Sequence, residues 1–155
     1  MRTNHPGGAA AAAVALAATA IAVGPSSPAS AVPVDAEQYR NVSTGFCLDS
    51  NTARNVYTNP CGGDNNFQHW HVTRHAAGVQ LRNVSTGFCL DSNTARNVYT
   101  NPCGDDNNFQ HWVVLRHPAG IQFRNVSTGF CLDSNTARNV YTNPCGDGNN
   151  FQHWS

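Results

Sequence analysis

The stretch "RNVSTGFCLDSNTARNVYTNPCGGDNNFQHW" (40–70) occurs three times in this chain of 155 residues. It returns at 82–112 with one substitution and at 124–154 with two, so the period is 42 residues. A repeat of this length is one supersecondary unit that cannot bury its apolar side alone. We therefore expect three near-identical repeats to share one core.

Each repeat reads as a set of short strands. Apolar and polar residues alternate at 46–49 and 56–61, which is typical of strands with one buried face. Glycine- and asparagine-rich turns separate these runs. The connectors 71–80 and 113–122 each predict two strands around a tight turn, and no stretch of 32–155 shows useful helical periodicity. The sequence thus predicts an all-β domain.

The alternation also predicts which side chains face the core. Phe46 and Leu48 share one face and are expected inside. Asp49 and Tyr57 would then lie on the outer surface. Trp70, which ends the repeat, is expected in the core where the repeats meet.

The first residues predict a secretion signal over 1–31. An arginine-bearing start precedes an uncharged, alanine-rich run at 9–24, and Ala29-Ser30-Ala31 has the form of a signal-peptidase site. A membrane anchor is the alternative, but the run is shorter than the roughly 20 strongly apolar residues that a span needs. The remaining domain, 32–155, is expected to be extracellular and monomeric.

Charge argues against two classes of partner. The chain has nine basic and nine acidic residues, with no lysine and no basic run. Binding to nucleic acid or to anionic lipid depends on clustered positive charge. Neither nucleic acid nor a membrane is therefore an expected partner.

Six cysteines behind a signal sequence point to disulfides in an oxidising compartment. They recur at one spacing, so each repeat can close its own loop of about 15 residues. Metal binding through thiolates is the alternative, but no Cys-x-x-Cys pair exists. The expected bridges are Cys47–Cys61, Cys89–Cys103 and Cys131–Cys145.

Three units that each carry Cys-Leu-Asp, a second cysteine after a short strand, and Gln-x-Trp resemble the ricin B-type lectin family. The resemblance covers nearly all of 32–155. It implies a β-trefoil with lobes at about 39–80, 81–122 and 123–155. It also implies carbohydrate binding, usually of galactose- or xylan-type glycans, often beside a secreted glycosidase.

Sugar sites combine polar side chains that hold hydroxyl groups with an aromatic face that packs on the ring. The resemblance makes the aspartate of Cys-Leu-Asp a ligand and the glutamine of Gln-x-Trp its positioning residue. The expected carbohydrate-binding residues are Asp49, Tyr57, Asn59, Asn66 and Gln68, with Asp91, Tyr99, Asn101, Asn108 and Gln110, and Asp133, Tyr141, Asn143, Asn150 and Gln152.

Two positions depart from the family pattern in every lobe. Asn59 stands where the best-known members have the stacking aromatic residue, and Phe67 stands where they have a ligand asparagine. Tyr57 or Phe67 could supply the aromatic platform from a shifted position, and His69 is a further candidate contact. Tyr57 and His69 could alternatively be ordinary exposed strand residues. The aspartate could alternatively cap the turn at 49–55.

These features predict a non-catalytic module with up to three weak, equivalent sugar sites and no cofactor or metal. The alternative is a trefoil scaffold whose sugar sites have decayed and which binds a protein, as an inhibitor or in adhesion. A glycosidase would need two carboxylates about 5 to 10 Å apart. Each repeat offers one fixed aspartate, and the sole glutamate, Glu37, precedes the first repeat.

One asymmetry concerns the third repeat. Ten residues separate Trp70 from the next repeat, whereas only Ser155 follows Trp154. We expect the strand edge at this point to fray or to recruit the segment 32–39.

Overall fold

The computed structural model describes residues 36–155, and the predicted signal segment 1–31 lies outside the described residues. This part of the chain is nearly all β, with a single turn of 3-10 helix at Asn66–Gln68. The strands are β1 (Glu37–Gln38), β2 (Cys47–Ser50), β3 (Val56–Asn59), β4 (His69–Arg74), β5 (Val79–Asn83), β6 (Cys89–Ser92), β7 (Val98–Asn101), β8 (Trp112–His117), β9 (Gly120–Asn125), β10 (Cys131–Ser134) and β11 (Val140–Asn143).

Each repeat builds the same antiparallel pair from its Cys-Leu-Asp-Ser and Val-Tyr-Thr-Asn segments. These pairs are β2 with β3, β6 with β7, and β10 with β11. The register places Cys47 opposite Asn59 and Asp49 opposite Tyr57. The connectors form the hairpins β4–β5 and β8–β9. The result is the three-lobed β-trefoil that the repeats predict.

Neighbouring lobes join where a tryptophan meets the second strand of the preceding hairpin, or β1 in the case of Trp70. The pairs are Glu37 with Trp70, Val79 with Trp112, and Ile121 with Trp154. These equivalent contacts close the three lobes into a ring, because the first strand of the domain takes the place that β5 and β9 take elsewhere.

The end of the third lobe pairs with the beginning of the domain. Arg40 N–H donates to Ser155 O at 2.8 Å, and Ser155 N–H donates to Arg40 O at 2.9 Å. Residues Glu37–Gln38 of the segment 32–39 pair with β4 instead. Residues 32–35 lie outside the described part of the chain.

The expected burial of the three tryptophans in the core is confirmed. Trp70, Trp112 and Trp154 are 0% exposed. Each indole N–H donates to the carbonyl of the leucine in Cys-Leu-Asp of the same lobe, at 3.2, 3.2 and 3.3 Å. Burial of an indole requires a partner for its N–H, so this bond fixes the Gln-x-Trp segment on the strand that carries the aspartate.

Two expectations about side-chain direction are wrong. Phe46 is only half-buried, because it follows Gly45, whose φ is +72°, and lies in a turn before β2 begins. Asp49 is buried rather than outward-facing, as are all four residues of β2. The alternation fails there because one face of β2 packs on the core, while a cluster of polar side chains covers the other.

The cysteine pairing is confirmed. The bridges join Cys47 to Cys61, Cys89 to Cys103 and Cys131 to Cys145, and each closes a loop within one lobe. All six thiols are consumed, so none is left to bind a metal.

Candidate functional site

The carboxylate of Asp49, at the third position of β2, is the centre of a polar cluster. Its Oδ2 accepts hydrogen bonds from Gln68 Nε2 at 3.0 Å, Asn59 Nδ2 at 3.1 Å and Asn65 Nδ2 at 3.5 Å. Only 2% of the residue is exposed. We call these four side chains the first aspartate cluster.

The other two lobes repeat this arrangement. Asp91 and Asp133 are each 3% exposed, and each accepts from one glutamine and two asparagines at 3.0 to 3.4 Å. The second aspartate cluster is Asp91, Asn101, Asn107 and Gln110, and the third is Asp133, Asn143, Asn149 and Gln152.

The glutamine of Gln-x-Trp is held in one orientation. Gln68 Oε1 accepts from Gly62 N–H at 2.9 Å and from Gln38 Nε2 at 3.1 Å. Its Nε2 therefore faces Asp49 and also donates to Pro60 O at 3.0 Å. Sequence reasoning missed Gln38 and its equivalents Gln80 and Gln122, although glutamine recurs there at the 42-residue period.

Asn66 and its equivalents lie outside the clusters. The exposed Asn66 uses its backbone carbonyl, which accepts from Ser85 N–H of the second lobe at 3.2 Å. The backbone carbonyls of Asn108 and Asn150 accept equivalent bonds at 3.2 Å. In addition, Asn108 Oδ1 and Asn150 Oδ1 contact the Nδ1 atoms of His111 and His153, at 3.2 and 3.1 Å. The structure therefore does not bring Asn66, Asn108 or Asn150 to the aspartates, and a sugar contact of these three residues stays a prediction.

Asn65, and not the neighbouring Asn66, contacts the carboxylate of Asp49. Its Oδ1 accepts from Phe67 N–H at 3.1 Å and so caps the 3-10 turn. That bond leaves its amide group facing Asp49. Asparagine is a favoured residue for such caps, so the turn chemistry of "DNNFQ" was the available signal.

Tyr57 packs beside the first cluster. Its hydroxyl donates to Ser50 O at 3.3 Å. Burial is the larger cause that raises the pKa of Tyr57, and the negative charge of Asp49 adds to it. Burial and the cluster aspartate of the same lobe raise the pKa of Tyr99 and of Tyr141 in the same way. The three phenols thus remain protonated donors at neutral pH.

Asp49 does not cap the turn that follows it. Asn51 does so, since its Oδ1 accepts from Asn55 N–H at 3.0 Å. The carboxylate is left with a second oxygen, and Asp49 Oδ1 is buried without a hydrogen-bond partner within residues 36–155; the same is true of Asp133 Oδ1. Such an oxygen can accept a bond from a hydroxyl group.

Each cluster also receives an arginine from another lobe. Arg138 Nη1 donates to Asn59 Oδ1 at 3.2 Å, and its guanidinium lies 5.0 Å from the ring centre of Phe46. Arg138 has a φ of +69°, in the left-handed region. Arg54 acts in the same way on Asn101 and Phe88, and Arg96 on Asn143 and Phe130.

Two further features bear on the function. Within residues 36–155, no group of three or more histidine, cysteine or acidic side chains is arranged to hold a metal ion. The same residues include no helix of the length and apolar character required to span a bilayer.

The threefold fold and its repeated aspartate clusters define a β-trefoil of lectin type. The ricin-type beta-trefoil lectin domain matches residues 36–154, and the chain belongs to that family. Among curated protein sequences, none matches at a significant level.

Solved structures of the same fold share little sequence with this chain. The designed threefold symmetric protein ThreeFoil is 21% identical with a TM-score of 0.67, over 76% of this chain and 94% of its own. A GlcNAcα1-4Gal releasing endo-β-galactosidase from Clostridium perfringens is 15% identical with a TM-score of 0.72, over 79% of this chain and 32% of its own. The cytolethal distending toxin of Actinobacillus actinomycetemcomitans is 17% identical with a TM-score of 0.67, over 79% of this chain and 90% of its own.

Proposed function

We propose that this protein is a secreted, non-catalytic carbohydrate-binding domain with three equivalent weak sites, one at each aspartate cluster. The observation that carries the proposal is the carboxylate of Asp49. One of its oxygens is held by three amide donors, while the other is buried without a partner. A buried acceptor gains most from a new donor, and sugar hydroxyl groups are such donors.

The enclosure of the carboxylate supports weak binding. With 2% of Asp49 exposed, a hydroxyl group reaches Oδ1 only if neighbouring side chains move aside. That rearrangement costs part of the interaction free energy. Three weak sites on one rigid body can nevertheless hold a polymer, because linked contacts raise avidity by about 10² to 10⁴.

The remaining parts of the proposal have separate support. One carboxylate per cluster supports a role without catalysis, since hydrolysis of a glycoside normally requires two. Three disulfides support an extracellular location. Membership of the family supports galactose- or xylan-type glycans as ligands.

The enclosure also favours a second candidate, a scaffold whose sugar sites have decayed and which binds a protein. Retention on a panel of insoluble galactans and xylans separates the two functions. The first predicts retention on at least one glycan and its release by the same glycan in soluble form. Absence of retention on every glycan of a broad panel would instead favour the scaffold.

A further inference from the structure

Phe46, in the turn before β2, has one arginine over its ring and a second arginine in the same groove. The guanidinium of Arg138 covers its ring at 5.0 Å. Arg40 lines the same groove as Phe46, and its Nε donates to Gly45 O at 2.9 Å. We call Arg40 and Arg138 the first arginine pair.

The second lobe has the equivalent arrangement around Phe88. The guanidinium of Arg54 lies 5.1 Å from the ring centre, and Arg82 Nε donates to Gly87 O at 2.9 Å. Arg82 and Arg54 are the second arginine pair. In the third lobe, the guanidinium of Arg96 lies over the matching ring of Phe130, and we define no pair there.

The arginines retain donors for a ligand. Within residues 36–155, Arg138 and Arg54 each make one side-chain hydrogen bond, from Nη1 to a neutral amide oxygen. Arg40 and Arg82 each make one from Nε to a backbone carbonyl. A guanidinium group can bind a carboxylate, sulfate or phosphate through two parallel N–H groups. In these four arginines, none of the hydrogen bonds described above goes to an acidic side chain, so N–H groups remain for an anion.

Arg40, of the first pair, lines a groove of a size that fits sugar. The groove has a volume of about 630 Å³ and is lined by Gln38, Arg40, Phe46, Pro60 and the bridge between Cys47 and Cys61. Binding sites for small molecules commonly have volumes of 300 to 1,000 Å³. Its lining thus combines an aromatic ring and a disulfide with polar groups, and Arg40 supplies a cationic group.

One amide connects Arg138 of the first arginine pair to the aspartate cluster. Asn59 accepts from Arg138 through Oδ1 and donates to Asp49 through Nδ2. The two ends of the site therefore have opposite charge. Hydroxyl groups suit the carboxylate end, and an anionic group suits the arginine end.

We propose that the arginine pairs bind the anionic groups of acidic polysaccharides, so that the ligand class of this domain is a glycan that carries carboxylate or sulfate. This inference rests on the proposed carbohydrate-binding function. It deepens that function by naming the charged substituent and the residues that recognise it.

The experiment compares immobilised polygalacturonate, a sulfated galactan, and neutral galactan and xylan. The test variant is R40Q/R82Q, which removes one arginine from each pair without touching the aspartate clusters. The matched control is R74Q/R116Q, which removes the same charge from the exposed ends of β4 and β8. R40K/R82K keeps the positive charge but lacks the planar guanidinium group. Circular dichroism checks that all three variants are folded.

We expect tighter retention on an acidic glycan than on either neutral one, weakening as salt is added because charge pairs are screened. R40Q/R82Q should lose about tenfold or more of that affinity, as expected when charge-assisted bonds are removed, and R40K/R82K should lose less. R74Q/R116Q should bind like the parent. The carboxylated and sulfated arms show which anion is preferred.

Equal retention on acidic and neutral glycans would overturn the inference and leave the carbohydrate-binding function in place. So would an equal loss in R40Q/R82Q and R74Q/R116Q, since binding would then follow net charge alone. If R40Q/R82Q does not fold, R40K/R82K and the salt dependence of the parent decide the matter. Retention on no glycan at all would overturn the proposed function, and the inference with it.

Discussion

Arg54 of the first lobe donates a hydrogen bond from Nη1 to Oδ1 of Asn101 in the second lobe, at 3.0 Å. Asn101 in turn donates to Asp91 at 3.1 Å. The second aspartate cluster is thus completed by a side chain of the first lobe, and the same relationship recurs around the ring. The aspartate clusters and the packing of the lobes are therefore coupled in this domain.

Replacement of Arg54 by alanine should lower the free energy of unfolding by about 1–2 kcal/mol. It removes the bond to Asn101 and the contact with Phe88, whose typical values are about 0.5–1.5 and 0.5–1 kcal/mol. Arg54→Gly should cost less, because Arg54 has a φ of +70° and glycine adopts that conformation without strain. Urea unfolding measures both, and a glycine variant less stable than the alanine variant would contradict this account.

Asp91→Ala should destabilise the protein by about 1–3 kcal/mol, since three amide groups would lose their acceptor inside the structure. The matched control is Asp106→Ala, because Asp106 is exposed in a turn and should change stability by less than about 0.5 kcal/mol. Asp91→Asn retains one acceptor oxygen and should lie between the two. Equal unfolding midpoints for the two alanine variants would show that the buried carboxylate does not hold the cluster together.

Gly78→Ala should be strongly destabilising for a purely steric reason. A Cβ at Gly78 would lie 2.7 Å from Trp112 O, in the backbone of β8. Gly63 is the matched control, because a Cβ there meets nothing within 4 Å, and Gly63→Ala should be neutral or slightly stabilising. Thermal unfolding should place the Gly78 variant well below the parent; similar melting temperatures for the two variants would mean that the hairpin and β8 are not in close contact.

Stability should fall as the pH drops below about 6.5, the ordinary value for histidine. Burial is the largest cause that lowers the pKa of His111, and the neighbouring His75 adds to it, while Asp105 and Asp106 act in the opposite direction. Burial and His117 lower the pKa of His153 in the same way, and Asp147 opposes them. A histidine whose pKa is depressed by folding binds its proton more readily when unfolded. Its contribution is therefore complete above the unfolded pKa and is lost as the pH falls towards the folded one.

The variant H111N/H153N should show a flatter dependence of unfolding free energy on pH between about 7 and 5. His71→Asn is the control, because His71 is exposed on β4, whereas His111 and His153 each lie close to a second histidine ring. The ring centres of His75 and His111 lie 4.7 Å apart, and those of His117 and His153 lie 5.0 Å apart. An unchanged slope in H111N/H153N would show that other groups govern the pH dependence.

The fold could be predicted from the sequence because the 42-residue period, the cysteine spacing and Gln-x-Trp all point to three lobes around one core. The pairing of Gln68 with Asp49 followed from the family resemblance. Phe46 could not be placed, because the period-two pattern does not show that the strand begins one residue later, after a left-handed glycine.

The burial of Asp49 could not be predicted either. Alternation assigns a residue to one of two faces, but it does not show that the outer face is covered by Asn59, Asn65 and Gln68. The contact with an arginine of the preceding lobe could not be predicted, because Arg54 and Asn101 are 47 positions apart in the sequence. No local pattern contains a contact of that kind, and only the closed ring of lobes brings the two side chains together.

Retention of the variant D49N/D91N/D133N on a polysaccharide that binds the parent protein tests most directly whether the aspartate clusters are the sugar sites. The control is D64N/D105N/D106N, which removes the same charge from exposed turns, and circular dichroism confirms that both variants are folded. We predict that the cluster variant loses retention while the turn variant binds like the parent. Retention of a folded cluster variant at the level of the parent would contradict the account and place sugar binding, if any, outside the three clusters.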